Sequence, residues 1–143
     1  MKYFFKVLIA VLAFTFSLEA KSIDDLKILQ LVKDSEVIIV GFIGGSAGGG
    51  GGTTSVVTVT EILLSPKVPI TEKSIAVFWP TSKGVYSSDL AKSEMIWFLR
   101  SSDHENGFYD VTDFALHYPA TAKNRELVKK YIRQKKNEPN HRV

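Results

Sequence analysis

Cysteine is missing from all 143 residues. Its absence excludes a disulfide framework, a thiol nucleophile, cysteine-ligated zinc and a lipidated N-terminal cysteine. A chain without such staples has to stand on its own apolar core, which one domain of ordinary size can supply. Histidine is nearly as scarce. His104, His117 and His141 are the three, and none has the spacing of a metal-binding pair such as H-E-x-x-H. No G-x-G-x-x-G or Gly-Lys-Thr sequence is present either, so neither metal nor cofactor is expected. Long apolar runs are also lacking. A membrane-spanning helix needs about 20 apolar residues, and the stretch Val7–Leu18 is only twelve residues long, interrupted by Thr15 and Ser17.

That short stretch has a different use. Lys2 and Lys6 precede it and the small residue Ala20 follows it. Positive charge, apolar core and small residue in that order make a secretory signal peptide of residues 1–20, with Ala20–Lys21 as the bond expected to be cut. Leu18 departs from the usual A-x-A pattern. The remaining 123 residues divide into a domain over 21–136 and a flexible tail over 137–143. An exported, cysteine-free chain fits a bacterial envelope, periplasmic or secreted.

Charge is segregated. Lys21–Ala120 carries 8 basic and 12 acidic residues, whereas Thr121–Val143 carries 8 basic and 2 acidic. The basic end suits an anionic membrane surface, but a solvated helix that complements its own acidic domain is the favoured reading.

Ser22-Ile23-Asp24-Asp25 resembles a capping box, and a helix is predicted over 23–33. Val37–Ile43 is a continuous apolar run typical of a strand covered on both faces. Gly44–Gly52 holds seven glycines in nine residues and is expected to be a flexible loop. Val56–Leu63 is the second predicted strand. There Glu61 falls on the Val57/Val59 side and breaks the alternation, which predicts a bulge or a sharp bend near Thr60. Ser74–Trp79 and Met95–Leu99 are the third and fourth strands, again apolar on both faces. Asn106-Gly107 marks a hairpin before a fifth strand over 108–114. After Pro119, Thr121 can cap a last helix. Leu127, Val128, Tyr131 and Ile132 form its apolar stripe, and Glu126 and Lys130 are spaced to pair.

Five such strands in an open sheet would leave two exposed edges, which closure removes. The predicted fold is therefore mainly β: a five-stranded OB-like barrel with N- and C-terminal helices packed on it. On the segments Ser35–Ile43, Thr58–Leu63 and Glu94–Leu99, the chain resembles the netrin-module and tissue-inhibitor-of-metalloproteinases superfamily over about Ser22–Gln134. The resemblance implies an OB-type barrel with two terminal helices. Inhibitors of that type reach a protease's zinc through an N-terminal cysteine. Here Lys21 would stand at that end, so the mechanism and its residues do not transfer.

Gly44-Gly45-Ser46-Ala47-Gly48 matches the G-x-S-x-G of a nucleophile elbow, but a strand and not a helix follows it. A small hydrolase using Ser46 with His104 or His117 is thus the least favoured function. The favoured one is an exported, non-catalytic binding module for an envelope or extracellular protein, or else a glycan. The alternative is a protease or hydrolase inhibitor acting through a barrel-rim loop. Ligand contact is expected at the 44–53 and 80–93 loops, through Tyr86, Trp79, Gly48 and Gly50, with Trp97 in the core. Nucleic acid is rejected because the barrel portion is acidic. The sequence leaves the oligomeric state open.

Overall fold

A computed structural model describes residues 23–49, 52–67, 69–79, 93–103, 107–113 and 118–139. The expected signal peptide with Ala20 and Lys21, the loop residues Gly50 and Tyr86, and all three histidines lie outside the described residues. Helix α1 (Ile23–Asp34) leads into β1 (Val37–Gly49), β2 (Gly52–Leu64) and β3 (Ser74–Trp79). Then follow β4 (Met95–Ser101), β5 (Phe108–Val111), the two-residue β6 (Tyr118–Pro119) and α2 (Ala122–Asn137).

The strands run β1-β2-β3-β5-β4, and β4 pairs back onto β1. Every pairing is antiparallel except β3 with β5. This is a closed, five-stranded OB-type barrel with one helix from each end of the domain. β6 is an addition to the predicted count. It hooks onto Met95 and Ile96 of β4, where its proline sits on a sheet edge and leaves no ladder bond unmade.

Alternation on β1 and β4 builds two cores. Val37, Ile39, Met95, Trp97 and Leu99 point inward and fill the barrel with Ile43, Val57, Ile75 and Val77. Ile38, Val40, Ile96 and Phe98 point outward and are covered by Ile28, Leu31 and Val32 of α1 and Val128, Tyr131 and Ile132 of α2. Each such side chain contributes about 1.5–3 kcal/mol on burial, so the outer layer holds both helices to the sheet. β3 departs from the expectation. Ile75 and Val77 are buried, but the outward Ala76 and Phe78 are only half-buried, because the helices reach β1, β4 and the end of β2 and no further.

The bulge is where alternation predicts it. Val40 opposes Glu61 and Gly41 opposes Val59, so Thr60 is extra. Its insertion turns Glu61 outward, toward α2. The same kink brings the strands so close that a Cβ on Gly41 would lie 2.2 Å from the Thr58 carbonyl oxygen. Trp97 is buried as expected, and its Nε1 donates to the Gly41 carbonyl at 3.1 Å.

The glycine tract corrects the sequence reading. Gly44–Gly49 and Gly52 are strand, not loop: Gly45–Gly49 pairs residue by residue with Gly52–Val56. Thr53–Thr58 pairs in turn with β3. Backbone pairing imposed by a β-branched neighbour outweighs the low strand preference of glycine itself. Smaller corrections concern ends. β5 stops at Val111 rather than residue 114, and α2 runs to Asn137, which the tail was expected to begin. Gly107 takes a left-handed φ of 86°, as an Asn-Gly turn requires.

Candidate binding face

Barrel closure ends early along β1. β4 covers it from Val37 to Gly41, and among the described residues β1 then continues to Gly49 paired with β2 alone. The distal halves of β1 and β2, with β3, form a sheet that extends past the closed part of the barrel. Register fixes which residues meet there. Gly45, Val56 and Ala76 form one three-strand row, Ser46, Ser55 and Val77 the next, then Ala47, Thr54 and Phe78, and Gly48, Thr53 and Trp79 the last. Of the residues predicted to touch a ligand, Gly48 and Trp79 thus share the row at the sheet's end. Gly50 and Tyr86 lie outside the described residues.

The outward side of this sheet is the candidate site. Phe42 and Val56 are exposed, at 38% and 47%, and Ala76 and Phe78 are half-buried beside them. Thr54 and Thr58 lie on the same side by strand period. From Val37 to Thr60 there is neither a charged residue nor a proline. Sequence reasoning missed Phe42 and Val56, since both sit in runs that read as core. The signal was there in one form: the predicted helices carry too few apolar residues to cover three strands.

A polar group borders the face. Asp110 of β5 stands opposite Phe78 of β3 and Arg100 of β4. Its Oδ1 is buried and has no hydrogen-bond partner among the described residues. On the other side of the sheet lie Ser46, which is exposed, and Ser55, which is buried, with their hydroxyls 2.7 Å apart. Ser46 therefore sits in mid-strand with a serine for a neighbour. The Gly44–Gly48 segment is extended backbone running into a second strand, not the strand-to-helix turn of a nucleophile elbow.

Basic residues of α2 divide by direction. Arg125 forks onto Glu61 and Glu94, both at 2.5 Å, and its Nε donates to the Ala120 carbonyl at 3.0 Å. Lys129 lies 3.2 Å from Glu61 and 3.8 Å from Glu126, taking the place expected for Lys130. The Thr60 hydroxyl meets Glu94 and the Val40 carbonyl, tying the bulge into the same cluster. Burial pushes the Glu61 carboxyl up, but the hydrogen bonds and charges of Lys129 and Arg125 outweigh it and hold the group below its ordinary value. Lys123, Lys130, Arg133 and Lys136 form no ion pair among the described residues, and Lys130 lies 6.0 Å over the Tyr131 ring.

Among the described residues no group of three or more His, Asp or Glu side chains could hold a metal ion. Nor is any helix there long and apolar enough to cross a membrane. The architecture defines the class of protein, an OB-type barrel with two flanking helices. Comparison with protein-family models and with curated proteins finds no match to this chain.

Proposed function

We propose that the protein is an exported, non-catalytic binding module that takes an envelope or extracellular protein on the outward face of β1, β2 and β3. The observation that carries this reading is the exposed pair Phe42 and Val56 on an uncharged sheet that neither helix covers. An apolar patch left open on a small domain marks a contact surface, and its lack of charge suits a protein partner better than an anionic polymer. Thr54, Thr58 and Asp110 supply polar groups at its margin. OB-type barrels also use the face of their second and third strands for ligands. Export rests on the signal-like residues 1–20. The family resemblance, which carries no functional residue here, adds only that this architecture serves protein recognition elsewhere.

The test is variant-dependent capture. Immobilised wild-type protein and a Phe42→Ser/Val56→Lys variant are exposed to envelope extract, and any retained protein is purified and rebound. A partner that binds the wild type and loses affinity at least about tenfold for the variant supports the reading. A partner indifferent to both substitutions overturns it. Loss of a protease's activity on adding the wild type, but not the variant, would select the inhibitor alternative.

A further inference from the structure

We infer that two copies of this chain join through the free edge of β1, pairing Gly45–Gly49 of one copy antiparallel with the same segment of the other. This goes beyond the binding-module reading and does not depend on it.

The edge is open. Beyond Gly41 no described residue pairs with the second side of β1, so its backbone N–H and C=O groups stand ready for another strand. Proteins that remain single guard such an edge with lysine, proline or an inward charge. Val37–Thr60 contains none of these. One bulge, between Ile43 and Gly45, interrupts the edge, and Gly45–Gly49 beyond it keeps regular register with β2.

The composition of the edge selects a second copy as its occupant. An identical strand brings identical charges, and like charges facing each other across a ladder are unfavourable. An uncharged edge is what self-pairing requires. Recognition of a foreign strand draws specificity from side-chain pockets or charge, and Gly45, Ser46, Ala47, Gly48 and Gly49 supply neither.

The pairing closes on itself. β2 lies between β1 and β3, β3 between β2 and β5, and β5 between β3 and β4. Each copy therefore offers one long free edge among the described residues, and a two-fold contact consumes both. The product is a dimer and not a fibre. Its central sheet runs β3-β2-β1 and on through the same strands of the second copy, so the faces bearing Phe42 and Val56 become continuous.

Sedimentation of the purified protein, expressed from the complete chain, is measured over a concentration series beside Ala47→Lys and Ala47→Cys. Ala47 is exposed and midway along the edge. The wild type is expected to dimerise reversibly, and Ala47→Lys to weaken the association at least about tenfold while unfolding at the wild-type midpoint at concentrations where both are monomeric. Ala47→Cys carries the sole thiol of the chain. It is expected to cross-link between copies, directly or through a short bis-maleimide, while Lys130→Cys on α2 does not. A wild type that stays monomeric with Ala47→Cys unlinked overturns the proposal, and so does a dimer indifferent to both changes. Should Ala47→Lys fail to fold, the cross-linking pair alone decides.

Discussion

The ammonium of Lys135 lies 2.7 Å from the carbonyl oxygen of Ser35, a residue one hundred positions earlier in the chain. It also donates to the carbonyls of Val32 at 3.0 Å and Lys33 at 2.9 Å. These groups close the last turn of α1, where helix carbonyls lack partners and the dipole favours a cation. The last helix therefore caps the first. Lys135→Met keeps the aliphatic stem and removes the three bonds. It is expected to destabilise the fold by about 1–2 kcal/mol, the lower part of the range for charged hydrogen bonds because the site is partly wet. Urea unfolding of the two proteins measures the difference, and equal midpoints would remove the cap from the account.

Contacts of this kind explain what the sequence conveyed and what it hid. Alternation within Val37–Val40 and Met95–Leu99 is local, and it carried the barrel and the two helical covers. The Thr60 bulge was legible because Glu61 broke the same local period. Ser74–Trp79 shows the identical pattern but receives no helix, since coverage depends on helix length and angle, not on the strand's own residues. Glycine preference pointed to a loop at 44–52, and the extended structure of Gly45–Gly48 comes from pairing with Thr53–Val56, a non-local term. The roles of Arg125 and Lys135 were invisible for the same reason: their partners lie far away in sequence.

Two glycines of β1 should respond to alanine with opposite signs. A Cβ at Gly41 meets the Thr58 carbonyl carbon and oxygen and Val57 Cγ1, all within 3.1 Å, so the backbone has to move. Gly41→Ala is expected to cost about 1–3 kcal/mol, as overpacking does. At Gly45 a Cβ meets nothing within 4 Å and φ is not positive. Gly45→Ala is expected to stabilise by about 0.4–1 kcal/mol through the unfolded chain's lost freedom. Thermal unfolding of both variants is the measurement, and a shared sign would contradict the close approach at the bulge.

On the alkaline side the tyrosines govern. Burial raises Tyr109, Tyr118 and Tyr131 above the ordinary 10.0, with nearby acids adding to the effect on Tyr118 and Tyr131. Above that pH the unfolded chain releases protons that the folded chain keeps, so stability falls as pH rises through 10. Lys135 acts in the opposite sense. Burial lowers it from 10.5 against the pull of Asp34 and Glu36, so in that window the unfolded chain holds the extra proton and rising pH favours the fold. Each raised tyrosine contributes a fall, and Tyr131→Phe should remove the share that Tyr131 contributes. Unfolding free energies across pH 9–11 (about that span) test this, and an unchanged slope in Tyr131→Phe would assign the fall elsewhere.

Acid should loosen α2. Glu61 is held below 4.5 because Lys129 and Arg125 outweigh its burial, and Glu36 is held below 4.5 chiefly by the backbone N–H of Ser101 at 3.2 Å. As pH falls, the unfolded carboxyls take protons first. The stability these groups contribute is complete above 4.5 and disappears as pH drops through their folded values. Protonating Glu61 also strips one arm of the Arg125 fork and the barrel contact of Lys129. Glu61→Gln is expected to cost about 0.5–1 kcal/mol at neutral pH, modest because about a third of the side chain is exposed. It should then lose less stability than the wild type between about pH 7 and about pH 3. Parallel curves for the two proteins would mean that the cluster at the Thr60 bulge does not anchor the helix.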